Sequence, residues 1–175
     1  LIKMYLGGEF GSHPADVNAY AASTFYAVDR YASYKKVWGK WYEQGGLVVS
    51  DRYTTSNAVH QASKEPEAKR KDFLKWLYEL EYDHMGLPRP DLVLYLDVPT
   101  DFTEMLLRSR EAATGTHADI HEADTQYLSA SRRMGRSAAE YYGWTLISCV
   151  KNGKMRSIQD IHEEIYRYVT KCLEE

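Results

Sequence analysis

The stretch Pro90-Asp91-Leu92-Val93-Leu94-Tyr95-Leu96-Asp97-Val98-Pro99 constrains this chain more than any other. Its apolar residues run consecutively instead of alternating with polar ones. That is the pattern of a strand covered on both faces, which belongs to a parallel sheet between layers of helices. Asp91 to Val98 is therefore predicted as a central parallel strand, closed by Pro99, which has no N–H to give to a ladder. Parallel strands need crossover connections of a dozen residues or more, so helices must stand between this strand and its neighbours.

The rest of the chain supplies them. Leu47-Val48-Val49 after Gly45-Gly46 predicts a second buried strand through Ser50, and Thr145 to Val150 predicts a third. A helix is expected from Ala19 to Glu43 with two apolar stripes, one of Ala21, Phe25, Val28 and Ala32 and one of Tyr31, Tyr34, Trp38 and Tyr42. A polar stretch, Thr54 to Arg70, precedes a helix near Asp72 to His84, where Phe73, Trp76, Leu77 and Leu80 fall at helical spacing. Asp101 with Glu104 reads as a capping box opening a helix through Arg110. Glu111 to His121 reads as a loop, Glu122 to Tyr142 as a helix, Lys151-Asn152-Gly153-Lys154 as a turn, and Ser157 as the cap of a terminal helix. The alternation predicts an α/β fold, a three-layer domain with a parallel sheet flanked by helices, spanning residues 1–175. At 175 residues the chain has room for one ordinary core.

Composition narrows the function classes. Lys+Arg 22 against Asp+Glu 25 gives net charge -3, which argues against a protein built to neutralise nucleic-acid phosphates. No apolar run approaches the ~18 residues of a membrane span, and the start lacks a signal-peptide layout, so no membrane partner and a cytoplasmic location are expected. The two cysteines, Cys149 and Cys172, match no metal spacing. No Gly-x-Ser-x-Gly elbow or His-Glu-x-x-His pair is present, and no glycine run carries the lysine and hydroxyl of a Walker loop.

Ligands of open α/β sheets bind beyond the carboxyl ends of the strands, which directs attention to Asp51-Arg52 and to Asp97. Arg52 offers a planar fork suited to a phosphate or carboxylate, and Asp51 can orient it or reach a metal; a structural ion pair is an equal alternative. Asp29-Arg30 lies one helical turn after Phe25-Tyr26, which suits an arginine clamp beside a ring stacked on a flat base, although core aromatics at that spacing are commoner. Arg108-Ser109-Arg110, then a Gly115-containing loop and Asp119-Ile120-His121-Glu122, has the parts of a closing lid or, more simply, of a solvated basic helix end.

Taken in order, Phe25 to Arg30, Asp51-Arg52-Tyr53-Thr54-Thr55-Ser56-Asn57-Ala58-Val59-His60-Gln61, Pro90 to Asp97 and Arg108 to Glu122 resemble the thymidylate kinase family over essentially the whole chain. The resemblance implies a P-loop kinase-like fold and ATP- and Mg2+-dependent phosphorylation of dTMP to dTDP by a homodimer. It implies that Arg30 and Arg52 hold the acceptor phosphate, that Asp51 sits by the metal, and that Tyr26 stacks on thymine where the family usually has Phe. Asn57 and Gln61 would face the base edge, His60 would take a position where a Tyr excluding the ribose 2'-hydroxyl is common, and His121 would join the substrate side. Arg108 would lie on the donor adenine side, and Arg110, Asp119 and Glu122 would belong to a lid of about residues 108–122. Two alternatives are a non-catalytic nucleotide-binding module and a kinase for another nucleotide.

The chain opens at Leu1, and the strand, Walker loop, helix and second strand with which the family begins are not in the printed sequence. The Walker strand would lie between Leu47–Ser50 and Leu92–Asp97, and buried backbone groups left without it cost about 1–3 kcal/mol each. The expectation is roughly 30–40 further residues before Leu1, a βαβ unit's worth. Without them, an altered sheet, a swapped strand or exposed apolar surface, and no kinase activity, are expected.

Overall fold

The computed structural model describes residues 1–115 and 119–174. The chain forms two compact units, Leu1–Arg89 and Pro90–Glu175.

The first unit is helical. Helix α1 (Ile2–Leu6) is followed by a 3-10 turn at Pro14–Asp16 and by α2 (Ala19–Ser33), which Asn18 caps by accepting the Ala21 N–H at 2.9 Å. A π-helical turn, Tyr34–Trp38, joins α2 to α3 (Gly39–Glu43), so the helix expected over 19–43 is present with a wider turn inside it. The buried residues of α2 are Ala19, Ala22, Ser23 and Ala27 rather than the predicted stripe, in which Val28 is 51% exposed. Small side chains let α2 approach α4 (Thr54–His60), where Ala58 is fully buried. Of the aromatic stripe, Tyr34 joins Tyr82 and Leu87 in a cluster that also takes in Trp38 and Tyr42, while Tyr31 stays at the surface. The polar stretch expected over 54–70 is in part α4, and α5 (Glu67–Tyr78) begins earlier than predicted, behind Pro66. A second π-helical turn, Glu79–His84, carries α5 to Gly86, whose φ of +68° ends it.

The predicted strand at Leu47–Ser50 is absent: no strand occurs in the first unit among the described residues, and Val49 is 83% exposed. An apolar run becomes a strand only where a neighbour takes its backbone groups, and none does here.

The second unit holds the parallel pair. Strand β1 (Leu94–Asp97) pairs with β2 (Thr145–Ser148), Leu94 opposite Thr145 and Asp97 opposite Ser148. The parallel arrangement is as predicted, but both strands are shorter, and among the described residues β1 has β2 as its sole strand neighbour. Leu96 is consequently 48% exposed, so the expected cover on both faces is not met. Helix α6 (Thr100–Thr114) starts behind Pro99 without the predicted capping box, and Glu104 instead faces Arg108 at 3.9 Å. It runs past Arg110 into the predicted loop and ends at Gly115 in the left-handed region. Helix α7 (Thr125–Tyr142) is capped by Asp124, which accepts the Tyr127 N–H at 2.9 Å. It lays Met134, Gly135, Ala138 and Ala139 into the unit's core with Ile147 of β2.

The predicted third strand divides at Cys149. Val150–Lys151 forms β3, which pairs antiparallel with β4 (Lys154–Met155) around the expected turn. Asn152 and Gly153 both have positive φ, as a two-residue type I′ hairpin requires. Ser157 caps α8 (Ile158–Glu174) as predicted, accepting the Asp160 N–H at 3.1 Å.

Candidate functional site

Phe73, Leu77 and Glu81 follow one another at four-residue intervals, and all three are fully buried. The inward stripe of α5 thus ends on a carboxylate. A buried carboxylate must be matched by donors, and Glu81 has four contacts: Arg30 Nε at 2.6 Å and a longer Arg30 NH2 contact at 3.4 Å, Thr54 Oγ1 at 2.9 Å and Asn57 Nδ2 at 3.2 Å. Arg30 comes from α2, Thr54 and Asn57 from α4 and Glu81 from the π-helical turn, so this one anion ties three segments of the first unit. Removing one partner of such a pair costs about 3–5 kcal/mol because the other charge stays behind.

Two of the predicted residues meet here. The Arg30 guanidinium is 14% exposed and lies 5.3 Å over the ring of Tyr53, whose hydroxyl donates to the Pro88 carbonyl at 2.9 Å. Burial raises the pKa of Tyr53, and it pushes that of Tyr82 up to about 12, so both rings stay neutral. Asn57 gives the second hydrogen of Nδ2 to the Ser23 carbonyl at 3.3 Å. Because both of its neighbours, a carboxylate and a carbonyl, only accept, the amide nitrogen must face them. Asn57 Oδ1 is thereby turned away from Glu81 and the Ser23 carbonyl. Gln61, 1% exposed at the end of α4, holds a buried Oε1 without a partner among the described residues, and the Ser23 hydroxyl is likewise unpartnered.

The other predicted residues of this unit stand around that network. Arg52 adopts φ +67°, a left-handed conformation unusual for a residue with a side chain, and immediately precedes Tyr53. Its backbone carbonyl accepts the Ser50 hydroxyl at 2.7 Å, while its exposed guanidinium has no partner among the described residues. Asp51 is equally exposed and uncommitted. Tyr26 is half-buried and meets Tyr5 in a T-shaped contact at 6.3 Å, and Tyr5 is fixed in turn by Lys64 Nζ at 2.8 Å. His60 lies half-buried at the end of α4.

In the second unit, Arg110 forks onto Glu122 at 3.1 and 2.5 Å. Asp119 Oδ1 accepts the backbone N–H groups of His121 and Glu122, and His121 is buried against the Tyr127 ring at 4.8 Å. Arg108 is 82% exposed beside Glu104. The part of the predicted lid at residues 116–118 lies outside the described residues. Asp97, a predicted strand-end residue, is held by Arg132 and Arg136 of α7.

Sequence reasoning missed Glu81, Ser23, Thr54, Arg132 and Arg136. For Glu81 the signal was legible: a carboxylate one turn beyond Phe73 and Leu77 on the same stripe. Nothing local distinguishes Arg132 and Arg136 from surface arginines.

No group of three or more His, Cys, Asp or Glu side chains suited to a metal occurs among the described residues. Asp51 fits a magnesium ion as a single uncommitted carboxylate, the usual protein share when substrate phosphates supply other ligands. No helix of the described residues is long and apolar enough to cross a membrane.

A helix-covered parallel strand pair, with acidic and basic residues at the strand end, places the chain among α/β proteins. Within that class, the chain belongs to the thymidylate kinase family, whose model matches residues 12–165. It is 30% identical over 144 residues to the thymidylate kinase of Mycobacterium tuberculosis, covering 79% of this chain and 64% of that protein. It is 27% identical over 139 residues to the probable thymidylate kinase of Pyrobaculum aerophilum, covering 77% and 63%. Against that of Pyrococcus abyssi it is 26% identical over 149 residues, covering 85% and 64%. The chain thus spans less than two thirds of the length of these relatives.

Proposed function

We propose that this chain is the acceptor-binding and lid part of an enzyme that phosphorylates dTMP to dTDP with ATP. The observation that carries the reading is the fixed amide of Asn57. With Nδ2 committed to Glu81 and Ser23, the side chain offers only an acceptor, and the remaining N–H groups of Arg30 are donors in the same network. A donor beside an acceptor complements the O4 and N3–H edge of thymine and clashes with the amino and bare-nitrogen edge of cytosine.

Around that pair, Tyr26 stacks on the ring and Gln61 presents its unpartnered oxygen to the base side. Arg52 faces the acceptor phosphate, and Arg30, which the resemblance placed there as well, is read here at the base edge. The Arg30 charge is already matched by Glu81, so it contributes directed N–H groups, whereas the uncommitted charge of Arg52 does most to neutralise the dianion. The acceptor phosphate oxygen forms a bond to the terminal phosphorus of ATP as the bond from that phosphorus to the ADP oxygen breaks. Holding the attacking oxygen in place is the largest service the protein renders such a transfer. Asp51 would hold Mg2+, which spreads the negative charge of the phosphates. By the family resemblance, Arg110, Asp119 and Glu122 shape the lid with His121 behind them, Arg108 serves the adenine side and His60 the ribose.

The reading extends to a cytoplasmic homodimer. Val28, Tyr31, Val37 and Trp41 expose apolar surface along α2 and α3, the kind of face a second subunit covers. Sedimentation of the full-length gene product tests this, with a monomer at micromolar concentration counting against it. The function is tested by a coupled ADP assay with ATP and a panel of dTMP, dUMP, dCMP and dAMP. Turnover highest with dTMP supports the proposal, and a preference for dCMP or a purine rejects it.

A further inference from the structure

We infer that Glu81 is a positioning residue for base selection: its buried carboxylate sets which way the Asn57 amide faces, and so which pyrimidine the site accepts. The inference rests on the proposed reading of Asn57 and Arg30 as the base-reading pair. Glu81 is fully buried and has no route to substrate, so its effect must pass through the groups it binds.

A carboxylate offers acceptors only, and both oxygens are used. Oε2 takes Arg30 Nε and Thr54 Oγ1, and Oε1 takes Asn57 Nδ2 with the longer Arg30 contact. As long as Glu81 is a carboxylate, Asn57 cannot turn its oxygen inward, because two oxygens would then meet. The Ser23 carbonyl imposes the same sense from α2. The acceptor that Asn57 presents is therefore dictated by a residue 24 positions further along the chain. The same carboxylate holds the Arg30 fork, so donor and acceptor are fixed by one anion and keep a constant spacing.

Replacing that anion by an amide breaks the rule. In Glu81→Gln one oxygen becomes an NH2 group, and the oxygen that remains is claimed by the charged Arg30 and by Thr54. An N–H then faces Asn57, whose amide can accept it by turning its oxygen inward and its nitrogen toward the ligand at the cost of its 3.3 Å bond to the Ser23 carbonyl, so both senses become populated. The site would then tolerate the acceptor nitrogen of cytosine. A purely structural Glu81 predicts something different, namely equal weakening for every nucleotide.

The test is calorimetric titration of the full-length gene product and of Glu81→Gln with dTMP and dCMP, with thermal melts to establish folding. The wild type is expected to prefer dTMP, and Glu81→Gln to lower the dTMP-to-dCMP affinity ratio by at least about tenfold. A folded variant that keeps the wild-type ratio overturns the inference while leaving the reading of the site intact. A wild type without preference for dTMP overturns that reading and the inference with it. Should Glu81→Gln not fold, Thr54→Val takes its place, removing one donor from Glu81 at nearly constant shape. Because Thr54→Val leaves the Glu81 carboxylate that orients Asn57, its ratio is expected to stay within about twofold of the wild type, and a fall of about tenfold overturns the inference.

Discussion

Asp97, at the carboxyl end of β1, accepts a forked pair of hydrogen bonds from Arg132 of α7, at 2.7 and 3.1 Å, with Arg136 adding a third at 2.5 Å. One carboxylate thereby fastens a helix to a strand whose only strand neighbour among the described residues is β2. Burial by itself would raise the pKa of Asp97, but the two guanidinium groups outweigh it and hold the carboxyl below its ordinary value.

Asp97→Asn is therefore expected to destabilise the second unit by about 1–3 kcal/mol, the range for charge-assisted bonds reduced for the partly exposed arginines. Because the folded-state pKa is lowered, this stability is present above the unfolded value near ~4 and is lost as pH falls through the folded one. Urea unfolding from about pH 6 to about pH 2 checks both points, since the variant should show a flatter acid limb.

Arg52 combines a strained backbone with an uncommitted charge, the combination found where function overrides stability. Arg52→Ala is expected to lower kcat/KM for dTMP by ~100-fold or more while the melting temperature changes little. Arg52→Gly should lose activity equally but gain about 0.5–1 kcal/mol of stability, since glycine accepts φ +67° without steric cost. Steady-state kinetics beside thermal melts of the two variants test the pair; a stabilised Gly variant with full activity would exclude Arg52 from the chemistry.

The legible parts of this chain were those with a local physical signature. The continuous apolar run at 91–98 gave a parallel strand, Asn152-Gly153 gave a hairpin turn, and Ser157 gave a helix cap, each from chemistry within a few residues. Leu47-Val48-Val49 has as good a strand signature, but pairing is a property of two segments and its partner is not encoded in the run. The stripes of α2 were misassigned because a π-helical turn at Tyr34–Trp38 shifts the phase between the two ends of the predicted helix, and because small alanines rather than large side chains pack inward. At the site, Arg30 stood out one helical turn after an aromatic pair, and Asn57 entered only through the family resemblance. Their common partner was not legible, because a glutamate within a charged stretch reads as surface unless its register with Phe73 and Leu77 is followed.

Gly135 of α7 packs against Tyr95 of β1. A Cβ built there would collide with the ring and hydroxyl of Tyr95, which also donates to the Arg132 carbonyl at 3.4 Å. Tyr95 is held between helix and sheet, so the clash cannot be relieved at the free end of a flexible chain. Gly135→Ala should cost about 1–3 kcal/mol, despite alanine's better helix propensity. Tyr95→Phe should cost about 1 kcal/mol at most, because only a long hydrogen bond is lost. Equilibrium denaturation of the two variants tests the claim, and a stabilised Gly135→Ala would show that the interface has slack.

Lys64 gives a prediction with the same pH sign as Asp97 in an alkaline window. Its ammonium donates to the Tyr5 hydroxyl at 2.8 Å and the Val17 carbonyl at 3.1 Å and lies 5.3 Å from the Tyr5 ring centroid, with no ion-pair partner among the described residues. Burial lowers its pKa to about 8. Between that value and the ~10.4 of an unfolded lysine, the unfolded chain binds the extra proton, so stability from this group rises with pH across the interval. Lys64→Met removes the titration and, at every pH, the two hydrogen bonds. The wild type should therefore be penalised relative to Lys64→Met near pH ~7 and should gain on it by pH ~9.5, as measured by urea unfolding at the two values. A difference between the proteins that stays constant over this range would mean that the buried charge is not what Lys64 contributes.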